Sequence, residues 1–314
     1  MKTQKLKNTD KKQRIINRIL LCLALPLWTV ADLTVASLNP IVSDLARQIG
    51  GEHVKVVELM RAGENPHIYE PSPMQLRQAN TAALFMAAGK GLESYLPDLR
   101  DTLGRDKRIL EVGEKIPSLK MSHSELFVCC PGHHHSHNAI DPHWWHSIKN
   151  LRMAARIIEE TFAELDKTNQ EYYKTRRSEY VRQLYALEKW VKKEIYRIPR
   201  RERILTTAHT AFSYFCHDFG FKAVPIQGLS TEVDAEPQHL ASVIETIRRE
   251  RIRAVFPEKN VNPKLLETVI KETGVRVGGY LLTGSPEPEN PTVEAMFRHN
   301  VETIVNALIS GNDD

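Results

Sequence analysis

Between Gln170 and Arg197 the chain carries neither glycine nor proline, and Tyr173, Tyr180, Leu184, Leu187, Val191 and Ile195 form a narrow apolar stripe at helical spacing that stops at Pro199. At ~1.5 Å per residue such a helix is roughly 40 Å long, more than a compact domain needs internally. The run therefore reads as a strut between two halves of a molecule. A coiled coil or a partner-binding helix is the alternative.

On both sides of this run, strand and helix patterns alternate, as in parallel sheets flanked by helices. Before it, strands are predicted over 33–38, 54–60, 82–87 and 108–112, with helices over 40–49, 93–103 and 149–165. After it, strands over 203–207, 222–226, 253–256 and 275–282 alternate with helices over 211–219, 237–250, 263–273 and 291–309. At 314 residues and 41% apolar, the chain is long enough for each half to bury its own core. The expected fold class is α/β: two lobes with mostly parallel sheets, one long rigid helix joining them, and a ligand cleft between. The expected division is a leader over 1–31, a first lobe over 32–168, the linking helix over 169–198 and a second lobe over 199–314.

The leader has a composition of its own. Lys2, Lys5, Lys7, Lys11, Lys12, Arg14 and Arg18 are opposed by Asp10 alone and precede a short apolar run, 19–28, that ends in Thr29-Val30-Ala31. That run is too short to span a bilayer comfortably, so a secretory signal peptide cleaved near Ala31 is expected, with an uncleaved anchor as the alternative. Cys22, inside the run after Leu21, is poorly placed for lipid attachment. Without residues 1–31 the chain has 36 basic and 38 acidic residues, so the formal charge falls from +4 to −2. No basic excess remains that would argue for nucleic acid. Cys129, Cys130 and Cys216 are then left, an odd count that makes no disulfide framework but leaves room for one bridge. Cys216 reads as a small buried apolar residue of a helix.

The histidines carry the functional signal. Six of the chain's 13 fall between Cys129 and Ser147. Three others of interest, by position rather than density, are His67 in a loop leaving a strand, His143 just before a helix and His209 just after a strand. Strand C-terminal ends carry the functional loops of parallel sheets, so all three can meet at one rim. A proline precedes both His67 and His143 and restricts where each ring points. Three neutral imidazoles and one further group make a four-coordinate site of the kind zinc prefers. Imidazoles must shed their protons to ligate, so binding is expected to weaken on acidification below about pH 6.5.

These residues also fall into known motifs. Gly63-Glu-Asn-Pro-His-Ile-Tyr-Glu-Pro-Ser-Pro73, Asp141-Pro-His-Trp-Trp145, Ala208-His-Thr-Ala-Phe-Ser-Tyr-Phe215 with Phe219-Gly-Phe221, and Phe256-Pro-Glu-Lys-Asn-Val-Asn-Pro263 stand in order. With Met296-Phe-Arg-His-Asn-Val301 near the end, the chain resembles, from about Leu33 to Leu308, the zinc and manganese solute-binding proteins of bacterial ABC importers, the TroA-like family. The resemblance implies a monomeric periplasmic protein that carries Zn²⁺, or less readily Mn²⁺, to a membrane permease and performs no catalysis. It implies His67, His143 and His209 as metal ligands, with a histidine at 209 marking the zinc-type members. It departs at the fourth ligand: where many members carry an aspartate after the last strand, this chain has Gly284, so a water, Glu258, Glu64 or another loop group would complete the site. Zinc-type members have a histidine-rich loop where this chain has His133, His134, His135 and His137, which implies an auxiliary loop that collects ions weakly near the cleft. A disordered polar tract with incidental affinity is the plainer reading of that loop.

Two rival functions share the same histidines. A secreted zinc hydrolase or lyase would use the open position for a metal-activated water. Against it stand the lack of an HExxH-type motif and of any general base beyond Glu258. A metal-binding adhesin or buffer without a permease is the other.

Overall fold

The structure, a computed structural model, describes residues 33–104, 107–119, 140–229, 231, 237–259 and 261–309. The leader, Cys129, Cys130 and the histidines of 133–137 lie outside the described residues. Among the described residues no helix is long and apolar enough to cross a membrane.

The first lobe comprises β1 (Leu33–Ser37), α1 (Pro40–Gly50), β2 (Val54–Glu58), α2 (Pro73–Gln78), β3 (Leu84–Ala87), α3 (Leu96–Leu103), β4 (Arg108–Glu111) and α4 (Ile148–Leu165). Helix α5 (Gln170–Ile195) leads to the second lobe: β5 (Ile204–Thr207), α6 (Ser213–Phe219), β6 (Lys222–Ala223), α7 (Pro237–Glu250), β7 (Ala254–Phe256), α8 (Lys264–Thr273), β8 (Arg276–Val277) and α9 (Val293–Ile309). The sheets are all parallel, ordered β2-β1-β3-β4 and β6-β5-β7-β8. Each lobe thus repeats one topology, with the order reversing between β1 and β3 in the first and between β5 and β7 in the second. Crevices open at such reversals, outside the strands' C-terminal ends.

The stripe on α5 is consumed by the fold. Tyr173, Leu184, Leu187 and Val191 are fully buried in a core that runs from Val35 and Leu84 of the first sheet to Leu205 and Phe256 of the second. The helix packs on α1, α4 and α9, so it joins the lobes as a strut and keeps no apolar face for a partner. Separate cores on the far faces of the two sheets complete a helix–sheet–helix layering in each lobe.

Local departures from the sequence pattern have identifiable causes. Helix α3 starts late because Pro97, in its first turn, has no N–H to continue a helix begun earlier, while the Glu93 carboxylate ahead of it accepts the Ala88 and Gly89 N–H groups at 2.7 and 2.9 Å. The strand expected over 222–226 is regular only over Lys222–Ala223, yet the Val224 and Ile226 N–H groups still donate to the Leu205 and Thr207 carbonyls at 2.9 and 3.0 Å, with Pro225 tolerated because its nitrogen faces the open edge of the sheet. That expected over 275–282 breaks at Gly279, whose φ of 118° favours glycine. Pairing resumes at the Glu258–Leu281 bridge. Helix α2 is absent from the sequence expectation, yet Ser72-Pro-Met-Gln75 is its capping box: Ser72 Oγ accepts the Gln75 N–H at 3.3 Å, and Gln75 Oε1 accepts the Ser72 N–H at 2.8 Å.

Candidate metal centre

The loop after β2 carries His67, the turn before α4 carries His143 and the loop after β5 carries His209. His143 Nε2 lies 3.1 Å from His67 Nε2 and 3.3 Å from His209 Nε2. One nitrogen from each ring falls within 4.8 Å of the others, and among the described residues no carboxylate joins this group. His143 and His209 are 1% and 2% exposed. The cavity they share with Asn65, Pro66, Thr283 and Gly284 offers about 20 Å³, room for one water-sized body.

Two buried carboxylates fix the rings. Asp141 Oδ1 accepts both the His143 backbone N–H and Nδ1–H, each at 2.8 Å. The intervening proline makes Asp141-Pro-His143 a compact turn with the ring held by its own loop. With Nδ1 protonated, Nε2 of His143 presents its lone pair to the cavity. Glu258 follows β7 as His209 follows β5, and these strands pair Thr207 with Phe256, so the two residues arrive side by side. Glu258 Oε1 accepts the His209 N–H at 2.9 Å. Its Oε2 lies 2.5 Å from His209 Nδ1, close but off hydrogen-bond alignment. Glu258 therefore faces the back of the His209 ring, and Glu64, exposed, turns its Oε2 to the Arg61 N–H at 2.8 Å.

Burial governs the protonation of the site. It pulls His67 down to about 2, with the other two imidazoles adding to the shift, and holds His143 well below the usual imidazole range. The same desolvation pushes Asp141 up to about 6. Both rings are thus held neutral in this geometry, ready to ligate without first shedding a proton.

Gly284 sits where a Cβ would come within 2.9 Å of Pro66 Cδ, so the loop packs as closely as backbone allows. His146 is not directed at the three rings: its Nε2 is 3.2 Å from the Thr283 carbonyl and its ring lies on Phe212 at 4.4 Å. Cys216 is buried and forms no disulfide among the described residues, and burial pushes its thiol far up. The sequence reading singled out the three rings but passed over Asp141, whose signal was the carboxylate two residues ahead of a proline-fixed histidine.

A family model described as zinc-uptake complex component A, periplasmic (ZnuA), matches residues 35–307. The manganese-binding lipoprotein MntA of Bacillus subtilis (strain 168) is 34% identical over 285 residues, covering 88% of this chain and 90% of that protein. The metal ABC transporter substrate-binding lipoprotein SloC of Streptococcus mutans serotype c is 26% identical over 285 residues, 88% of this chain and 90% of that protein. Among solved structures, the periplasmic zinc-binding protein TroA of Treponema pallidum superposes with a TM-score of 0.78 at 25% identity, covering 89% of this chain and 99% of that one. Matched by the family model over most of its length and by a 34%-identical relative over 88% of it, the chain belongs to the zinc-uptake complex component A family, the substrate-binding proteins of metal ABC importers.

Proposed function

We propose that this protein is exported, captures Zn²⁺ between its lobes on Nε2 of His67, His143 and His209, and hands it to the membrane permease of its importer. One observation carries the reading. Nδ1 of His143 is committed to Asp141, so its Nε2 lone pair faces Nε2 of His67 at 3.1 Å and Nε2 of His209 at 3.3 Å. Two nitrogens each ~2.0–2.1 Å from one tetrahedral ion stand roughly 3.3 Å apart, so these separations suit three imidazoles on a single divalent cation. An all-nitrogen donor set favours zinc over manganese, which suits oxygen ligands better. Manganese in the name of MntA and zinc in that of TroA make the choice of ion worth testing rather than inheriting. A water fills the fourth position in this proposal, with Glu258 and Glu64 outside the coordination shell. The division at 31, 168 and 198, the weak auxiliary role of His133, His134, His135 and His137, and the absence of catalysis belong to the same reading. So does a cleavable leader. The lipoprotein names of MntA and SloC point instead to lipid at Cys22, and the intact mass of the mature protein separates the two.

The test is competition with a chelating dye, run for Zn²⁺ and Mn²⁺ on the wild type and on His67→Ala, His143→Ala and His209→Ala. The reading expects one tight zinc site, weaker manganese and loss of the site in each variant. Tighter manganese overturns the choice of ion, and variants that bind as well as wild type overturn the site.

A further inference from the structure

The turn that supplies His143 also reaches across to the other lobe. Trp145 donates Nε1–H to the Thr283 carbonyl at 2.7 Å, and His146 Nε2 reaches the same oxygen at 3.2 Å. A carbonyl has two lone pairs, and here both are engaged from one side of the cleft. The acceptor lies next to Gly284, which packs on Pro66, and both Thr283 and Gly284 wall the cavity that the three imidazoles share. One residue further, Ser285 Oγ accepts the Gly63 N–H at 3.0 Å. Asn65 Nδ2 donates to Thr231 Oγ1 at 2.9 Å, closing the rim from the same first-lobe loop.

We infer that Trp145 and the Thr283–Ser285 segment form a latch across the cleft, acting as positioning residues that set how fast the captured ion leaves. The inference rests on the proposed zinc site and adds to it a control of release. The cavity of about 20 Å³ is narrow and only partly closed, with His67 half-buried at its rim, so moving its 283–284 wall widens the way out. Movement of the 283–285 segment off the first lobe breaks the bonds from Trp145, His146 and Gly63. Trp145 and His146 are buried, so their N–H groups would lose a protein partner before water fully replaces it. The bonds of the latch lie outside the three ligand nitrogens, and Trp145 packs edge-on to the His143 ring at 5.3 Å, so Trp145→Phe, which keeps a ring there, isolates the lost N–H.

The test is stopped-flow release of zinc from the loaded full-length protein into excess chelator. Trp145→Phe keeps the ring and removes the N–H; Ser285→Ala removes the acceptor for Gly63. Each is expected to speed release about 3- to 10-fold, as for the loss of one net hydrogen bond, with the association rate changed less than about twofold. Ile247→Val, in the far core of the second lobe, serves as a control for general destabilisation and is expected to lower the melting temperature without changing release. The two cleft variants approach the latch from opposite lobes, so misfolding of one leaves the other to decide. Release at the wild-type rate in a folded cleft variant overturns the latch alone. Release that accelerates equally in the Ile247→Val control also overturns it. A wild type that takes up no stoichiometric zinc removes the site on which the latch depends.

Discussion

Asp141 offers the sharpest quantitative test, because one oxygen atom does two jobs. Its Oδ1 accepts the His143 backbone N–H and Nδ1–H at 2.8 Å each, with Asp141 itself fully buried. Asp141→Asn leaves an oxygen able to sit in the same place, removes the charge and puts an NH2 donor where Oδ2 stands. Hydrogen bonds to charged groups contribute roughly 1.5–3 kcal/mol, and neutral ones about 0.5–1.5. For the Nδ1–H bond alone the difference, about 1 to 1.5 kcal/mol, corresponds to a roughly 5- to 13-fold loss of zinc affinity. Asp141→Ala removes both bonds, frees the ring to rotate and strands two buried donors, so the loss is expected to approach the 100-fold end of the range of ~10–100 for groups that orient a metal-ligating histidine. The assay is dye competition at pH 7.5, with circular dichroism to confirm the fold. Equal losses in the Asn and Ala variants would refute the division into charge and orientation. An Ala variant within twofold of wild type would refute the role of Asp141 altogether.

Other consequences follow from the same geometry. His209→Ala, which removes a donor nitrogen and not its support, is expected to cost more than the ~100-fold ceiling for a supporting carboxylate in the same titration. The metal-free protein should lose stability as pH falls below about 6.5. His67, His143 and His146 stay neutral in the fold, with His67 at about 2 and His146 at about 3, while the unfolded chain takes up protons near 6.5. Between those limits the unfolded state takes up these three protons, so stability present above about 6.5 is lost by about 1.4 kcal/mol per pH unit for each histidine. Buried Glu93 and Asp141, raised to about 7 and about 6, gain protons in the fold and offset part of this loss. Melting temperatures unchanged between pH 7.5 and 5.5 would contradict this. Gly113→Ala would bring a Cβ to 2.5 Å from the Ala88 carbonyl and 2.7 Å from Trp144 Nε1, which are themselves bonded at 3.0 Å. Overpacking of this kind costs about 1–3 kcal/mol, read as a lower denaturant midpoint at an unchanged slope.

Much of this was legible before the structure, because the decisive signals were local. The glycine- and proline-free run over 170–197 fixed the strut, and the alternating patterns on either side fixed two parallel sheets, since each rests on backbone preferences that no distant contact overrides. His67, His143 and His209 stood out by position rather than number, whereas the denser histidines of 133–137 lie outside the described residues. What escaped was contact across the fold. Nothing near Thr283 in the sequence announces that its carbonyl receives Trp145 and His146, because that bond joins segments 138 and 137 residues apart. Glu258 was weighed as a fourth ligand because sequence gives proximity without direction. Only the pairing of β5 with β7 turns its carboxylate to the back of the His209 ring. The break in the last strand traces to Gly279, a residue visible in the sequence but whose effect depends on the backbone angle it adopts there.

The measurement that bears most directly on the whole account is a crystal structure of the zinc-loaded protein with anomalous data collected across the zinc and manganese absorption edges. The account predicts a single zinc ion in the cleft, about 2.0–2.1 Å from Nε2 of His67, His143 and His209, with a water as the fourth ligand. An ion bound elsewhere, an ion missing any one of these three rings, or a manganese signal in the same cavity from protein offered both metals would contradict it.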